Sequence, residues 1–564
     1  MPDALIVGRY VRWWPRVVVA LAVMVGIALR AWFVFHVPLT SDEAVVGLIA
    51  QQALHGHTNA FVWTQSVGGV EPYVVAAFFW IFGQGWLSLV LAPLTLSIGA
   101  ALLVWRVALR LVSDRRLAAL AGALSWVWPL PASYQSTVEG GYRGVTLLCG
   151  LAALLFALRI LDGKVHYKEF VSLGLAVGIG WWSLPEIVYF VLPVLLLVGS
   201  AVIRTPQGLR FRHWGSKLGV SGVAFIVGAL PWIWANVGSG FASLDSNKFP
   251  GTGSPSNPGY FGRLAIFFKD ALPLQLDLRQ LGIGSFVFGA PGSSLVHRVA
   301  LLLLMTSILI VVVLCIVLCL LERGRAAAIG VAALAFPFLV ALQPGTWFWV
   351  DGRYTVYVGA LLTLVIAAGA QEGSRRLRVH ARIGRDPAQT SWGRCAFGVF
   401  AVLAIALTAY SFHRSFNVGP TSYTAAWGNP DQPSVNSIDG LERAGIRTGY
   451  AGYWVAYKLD LLSEERLAIT VAGAGPDRSQ AIDHDVRTSA HPAWLFVPAS
   501  QMPVAFEQFG APDEIQGPGG LAQDTFTRML RRDKIRFRVV PAGLFEAVVP
   551  VQRIRPQLAF GEGA

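Results

Sequence analysis

Cysteine is scarce, with four thiols in 564 residues. Cys315 and Cys319 share a helical face, but no histidine or further cysteine completes a zinc site around them. All four lie in or at the ends of apolar segments and read as buried packing thiols. Charge is scarce too: 14% of residues are charged against 54% hydrophobic, with a mean hydropathy of +0.55. A soluble globular protein needs a polar exterior that such a composition cannot supply. Motifs are missing as well, with no P-loop, no nucleophile elbow and no dinucleotide fingerprint. Those absences argue against ATP-driven transport and against a soluble-type hydrolase. In a soluble domain, the formal net charge of +13 would suggest nucleic acid. Here the basic residues sit in short clusters between apolar runs, so they mark topology and no nucleic-acid partner is expected.

What the sequence does have is long apolar runs and 20 tryptophans, which favour the headgroup zone. Runs of spanning length lie near 17–37, 86–111, 117–134, 142–160, 168–184, 186–203, 217–237, 297–321, 327–343, 354–371 and 395–412. The first reads as a retained helix, because no small-residue cleavage site follows it. These eleven runs place every basic cluster on one side: Arg9 to Arg16, Arg106 to Arg116, Arg159 to Lys168, Arg204 to Lys217, Arg323 with Arg325, and Arg375 to Arg394. The positive-inside rule makes that side cytoplasmic. No lysine or arginine occurs between Arg30 and Arg106, so the intervening loop, 38–85, is predicted to face outward. The apolar stretch Pro72–Phe82 is too short to cross, and counting it would flip every later cluster, so a re-entrant or juxtamembrane helix is expected.

The resulting fold class is mainly α, a polytopic transmembrane helical bundle over 1–412, with loops 38–85 and 238–296 outside. Residues 413–564 are predicted to form a small extracytoplasmic α+β domain. Strands are expected at Ala493–Pro498, Ile535–Val540 and Leu544–Val551, and a helix at Leu521–Arg532. Pro250–Tyr260, rich in Gly, Pro, Ser and Asn, reads as a mobile loop and a candidate lid.

Four outward stations carry ionisable side chains. In Thr40-Ser41-Asp42-Glu43-Ala44, Ser41 or Asp42 is a good N-cap and the following residues recur at helical spacing. The two carboxylates are then either helix caps or a general base, or metal ligand, at the water–lipid boundary. Glu71 and Tyr73 open the short apolar stretch, Glu71 as a helix-start residue or a second carboxylate facing a cavity. Glu139, Tyr142 and Arg143 stand at the outer start of the fourth span. Arg143 reads as a phosphate ligand, an interface anchor or a partner of Glu139. Arg353 and Tyr354 close the aromatic run Trp347-Phe348-Trp349, and Arg353 either meets a phosphate or pairs with Asp351. His55 and His57 read as solvated loop residues rather than ligands.

In order and sidedness these stations resemble the GT-C superfamily of integral membrane glycosyltransferases, near the protein-mannosyltransferase and aminoarabinose-transferase-like group. Asp42-Glu43-Ala44 matches that group's outward acidic motif after the first span, and Gly83 to Pro93 looks like the start of its second span. Arg115-Arg116-Leu117 resembles a cytoplasmic basic turn, and Gly352-Arg353-Tyr354 a late Arg-Tyr motif. Better-known members often carry Lys-Pro-Pro-Leu where this chain has Val70-Glu71-Pro72-Tyr73, so no phosphate-binding role passes to position 71.

The resemblance implies a polyprenyl-phosphate-linked sugar donor consumed on the non-cytoplasmic face of a bacterial inner membrane, with the N-terminus cytoplasmic. It implies an acceptor hydroxyl on a glycan, lipid or protein, and inversion at the anomeric carbon. Asp42 is expected as the base, with Glu43 assisting, and an exchange of the two roles stays open; both acids are candidate ligands of a divalent metal (Mg or Mn, the one cofactor in view). Glu71, Tyr73, Glu139, Tyr142, Arg143, Arg353 and Tyr354 are expected to bind substrate. A transporter or flippase would instead predict internal repeats and mid-membrane ionisable groups. A non-catalytic scaffold would make Asp42 and Glu43 plain caps.

Overall fold

The computed structural model describes residues 2–63, 68–141, 143–244, 257–282, 284–288, 294–322, 324–380, 392–416, 427–473, 478–510 and 515–560. The chain forms two compact units, each discontinuous in sequence. The first comprises Met1–Arg30, Pro93–Ser136 and Tyr142–Ser422; the second comprises Ala31–Ala92, Thr137–Gly141 and Tyr423–Ala564. A division at residue 412, as sequence order suggests, would separate the first outward loop from the tail that it packs with.

Seven helices among the described residues are long and apolar enough to cross a membrane: Trp13–His36, Trp86–Leu111, Arg143–Leu161, Pro185–Arg204, Leu295–Glu322, Arg353–Leu377 and Gly393–Phe416. The pair Trp214–Gly228 and Leu230–Gly238, bent by 60°, makes an eighth if it is one span. The protein is thus an integral membrane protein, and these eight coincide with eight of the eleven predicted runs. The other three runs are helical but shorter. The 117–134 run is interrupted at Trp128-Pro129, which leaves Arg115–Val127 and the six-residue Leu130–Gln135. The remaining two are Tyr167–Ser183, of 17 residues, and Arg325–Val340, of 16. Pro72–Phe82 lies within a 12-residue helix, Glu71–Phe82, too short to span.

Burial varies along the spans in the direction that lipid contact requires. Leu295–Glu322, nearly all aliphatic, has only 22% of its apolar window buried in protein, whereas 78% is buried in Arg353–Leu377. Helices Tyr167–Ser183 and Gln207–Gly228 approach closely at Gly174 and Gly178. A Cβ there would stand 2.1 Å from the Ser221 carbonyl oxygen and 2.3 Å from that of Phe225. Small residues four apart let two backbones pack in lipid, where no hydrophobic drive exists between helices.

In the second unit, α1 (Ser41–Leu54) and α2 (Glu71–Phe82) come from the segment between the first two spans. The tail adds α3 (Gln432–Arg443), β1 (Thr448–Ala451), α4 (Tyr453–Leu462), β2 (Ala468–Val471), α5 (Gln480–Thr488), β3 (Ala493–Phe496), α6 (Met502–Phe509), α7 (Gln523–Arg532), β4 (Phe537–Ala542) and β5 (Phe545–Pro550). The sheet order is β2-β1-β3-β5-β4, with β2-β1-β3 parallel and β3-β5-β4 antiparallel. Three predicted strands and the predicted helix are present. The two strands missed, β1 and β2, are four residues each and buried on both faces, so they carry no polar–apolar alternation. Trp494, Phe496, Phe526, Tyr450 and Val548 form the core on the sheet. Helix α1 packs on α4 with Gly47 at the contact, where a Cβ would lie 2.7 Å from Leu461 Cδ1.

Of the Pro250–Tyr260 stretch, 250–256 lies outside the described residues. Downstream, the outward loop is not irregular: Gly259–Ile266 is helical and Phe267–Ala271 is a π-turn.

Candidate active site

The N-cap of α1 is Thr40, one residue before the predicted Ser41 or Asp42. Thr40 and Glu43 form a capping box. The Glu43 N–H donates to Thr40 Oγ1 at 3.3 Å, and Glu43 Oε2 accepts from the Thr40 N–H at 2.8 Å and the Thr40 hydroxyl at 2.9 Å. Thr-x-x-Glu before an apolar run is itself a capping signature, and that signal was available in the sequence. Ser41, Asp42 and Glu43 therefore occupy the first turn, where the helix dipole favours anions.

The tail grips this turn at successive positions. The Leu39 N–H donates to Asp431 Oδ1 at 3.2 Å, the Ser41 hydroxyl donates to the Tyr453 carbonyl at 2.6 Å, and the Tyr453 hydroxyl donates to Asp42 Oδ1. Asp42 itself is half-buried, whereas Glu43 is only 3% exposed. Behind the turn, Lys458 and Asp431 form an ion pair at 2.7 Å with both side chains inaccessible to solvent. Lys458 Nζ also donates to the Gln508 carbonyl at 2.8 Å.

Glu43, Glu71 and Glu139 converge. Glu43 Oε1 accepts the Glu139 N–H at 3.1 Å, and Glu139 Oε1 accepts the Gly141 N–H at 2.8 Å. Glu71 lies close enough to Glu139 for their like charges to oppose each other. All three are buried. Burial pushes the Glu43 carboxyl up to about 7, against the opposing hydrogen bonds from Thr40 and the Glu139 N–H. Burial, reinforced by the neighbouring Glu71, holds Glu139 well above the ordinary carboxylate range.

Such carboxyls bind more protons folded than unfolded. The stability Glu43 contributes is therefore full below the ordinary value of 4.5 and is lost as pH rises through about 7. Thermal stability in detergent is expected to fall between about pH 5 and pH 8, and Glu139→Gln is expected to flatten that fall. A slope unchanged by Glu139→Gln would count against a Glu139 carboxyl raised by burial.

Among the described residues, no three or more His, Cys, Asp or Glu side chains group as metal ligands. Both Glu43 oxygens are engaged by donors, so the predicted pairing of Asp42 with Glu43 around a divalent cation does not fit this arrangement. Tyr73 pins the loop, its hydroxyl bonding both the N–H and the carbonyl of Asn59 at 3.0 Å.

The basic stations lie in the first unit. Arg143 stacks over Tyr354, 4.6 Å from the ring centre, with Nε 4.0 Å from Glu186 Oε2. Glu186 is also held by Gln343 at 3.3 Å. Arg143 thus takes Glu186 as partner, where Glu139 had been an alternative. Arg353 pairs with Asp351 and stacks on Phe348. Tyr142 lies outside the described residues. The sequence reading missed Tyr453, Asp431 and Lys458. Their signal was a run of apolar residues in 453–462 broken by two buried charges, Lys458 and Asp460.

Residues 68–234 match a family model described as dolichyl-phosphate-mannose-protein mannosyltransferase. That range holds Glu71, Tyr73, Glu139 and Arg143 and leaves Asp42 outside. No curated protein matches the sequence. Among solved structures, ArnT from Cupriavidus metallidurans bound to undecaprenyl phosphate aligns with TM-score 0.52 at 14% identity, over 96% of this chain and 99% of that one. Its apo state aligns with TM-score 0.54 at 14% identity, over 96% and 98%. The chain has the GT-C fold of integral membrane glycosyltransferases. The Archaeoglobus fulgidus oligosaccharyltransferase tethered to an acceptor peptide aligns at TM-score 0.43 and 12% identity over 96% and 89% of the two chains, too loosely to bear on that assignment. In this GT-C chain the tail supplies partners to the acidic turn of α1, while the arginines Arg143 and Arg353 each have an acidic partner within the first unit.

Proposed function

We propose that this protein transfers a sugar from a polyprenyl-phosphate-linked donor to an acceptor hydroxyl on the extracytoplasmic face of a bacterial plasma membrane, with Asp42 as general base. The observation that carries the reading is the Asp42 carboxylate. It is half-buried at a helix N-terminus, in a loop whose lack of basic residues marks it as outward, within a GT-C fold. Undecaprenyl phosphate bound to ArnT supports a donor of the same lipid class.

Asp42 takes the proton from the acceptor hydroxyl as that oxygen bonds to the anomeric carbon. The bond from that carbon to the phosphate oxygen breaks with its electron pair, which leaves polyprenyl phosphate and inverts the centre. The departing phosphate needs a cation. Arg143 is assigned that role, with Tyr354 beneath it and Glu186 as its acidic partner. Glu43 serves as the brace of the helix turn.

The test is consumption of a radiolabelled polyprenyl-phosphate sugar by the full chain in lipid vesicles. Donor consumption is expected in the unmodified protein. Arg143→Ala is expected to lower kcat/KM for the lipid donor by about 10- to 100-fold, the size of a lost charge-assisted hydrogen bond. No turnover across pentosyl and hexosyl donors would overturn the enzyme assignment, and full turnover in Arg143→Ala would remove the arginine from it.

A further inference from the structure

We infer that Tyr453, a residue of the C-terminal domain, is a positioning residue for the base: its hydroxyl orients Asp42, so the tail is a working part of the active centre. The inference rests on the reading of Asp42 given above.

Tyr453 follows Gly452 at the end of β1 and is the first residue of α4. One residue thereby bonds two neighbours on α1, accepting from the Ser41 hydroxyl through its carbonyl and donating to Asp42 through its own hydroxyl. The ring is wedged edge-on against Trp454 and Tyr457, at 5.2 and 5.8 Å between centres, which fixes the direction of the hydroxyl. The Arg478 guanidinium lies over the ring, 5.6 Å from its centre. It also reaches the Trp63 carbonyl at 3.4 Å. The Arg478 N–H is itself held by the Tyr457 hydroxyl.

The chemistry follows from these contacts. Burial and the adjacent Asp42 raise the Tyr453 phenol far above its ordinary value, so the proton stays on the tyrosine and the bond is always donated toward Asp42. A donor to the anionic form of a carboxylate favours ionisation, and a general base must be ionised before it can act. The groups facing the Asp42 turn from the elements packed on it are Tyr453, Arg478, Asp431 and Lys458 from the tail, with Glu43 on α1 itself.

The experiment compares Tyr453→Phe with Asp42→Asn in vesicles supplied with radiolabelled polyprenyl-phosphate sugar. Phenylalanine keeps the ring and its packing. Tyr453→Phe is expected to lower kcat by about 10- to 100-fold, with KM for the donor unchanged, and to move the acid limb of the kcat–pH profile up by about one unit. A purely structural tyrosine would leave the limb where it is, and an unmoved limb in a folded Tyr453→Phe protein overturns the inference. If Asp42→Asn retains turnover, the assignment of Asp42 as base has failed instead. A second readout does not need turnover: the pH profile of Asp42 labelling by a water-soluble carbodiimide, read by peptide mass spectrometry. It is expected to move up in Tyr453→Phe, and an unmoved profile overturns the inference.

Discussion

Asp42→Asn is expected to cut sugar transfer by about a hundredfold to ten-thousandfold, the span associated with loss of a positioned general base. The amide keeps the shape of the carboxylate and can still accept the Tyr453 O–H bond, so α1 should stay capped and docked. What it loses is the ability to take a proton. Glu43→Gln makes the informative partner. Glutamine serves in a capping box as glutamate does, so the Thr40 contacts survive and transfer should stay within about tenfold of the unmodified rate. If the two substitutions were equally damaging, the division of labour between the neighbouring acids would be wrong. If Asp42→Asn transferred at full rate, the base would lie elsewhere.

The largest stability effect is expected at Lys458. Both members of the Lys458–Asp431 pair are inaccessible to solvent, and Asp431 also accepts the Leu39 N–H that leads into α1. Lys458→Met leaves a buried carboxylate without its cation, a change that typically costs about 3–5 kcal/mol. Asp431 already sits above its ordinary value through burial, with Lys458 the main opposing influence. Without the lysine it will take up a proton more readily still. Its folded pKa then lies further above the unfolded one, so the cost is smallest in acid and grows as pH rises toward neutrality. Adding Asp431→Asn removes the charge while keeping an acceptor for Leu39, and most of the loss should be recovered. Thermal melts of the full chain in detergent at about pH 5 and pH 8 separate these expectations. Equal melting of the unmodified protein and Lys458→Met at both pH values would show that the pair carries no weight.

The sequence made the acidic helix turn legible because its signal is local. A stretch without lysine or arginine from Arg30 to Arg106 and a Thr-x-x-Glu capping signature can be read without knowing any distant contact. Hydropathy also located the spans, but it read through Trp128-Pro129, where the chain remains apolar while the helix breaks. The partners of Asp42 were not legible for the opposite reason. Tyr453 lies 411 residues further on, in a helix whose apolar run reads as ordinary core. Nor did any local pattern show that Glu71 and Glu139 lie buried beside each other, because the two acids are far apart in sequence. The α+β tail was recognised from its longer strands, while β1 and β2, short and buried on both faces, left no periodic trace.

The interleaving of chain segments in the second unit carries a consequence for biogenesis. The grip on α1 comes from residues made 392 and 411 positions after the groups they bind. At about 5–20 residues per second, a ribosome needs roughly 20–80 s to cover that distance. During that interval the early helices are already threaded into the bilayer while Asp42 has neither Tyr453 nor the Asp431–Lys458 brace. The acidic turn therefore gains its tail partners only when the final quarter of the chain has been made.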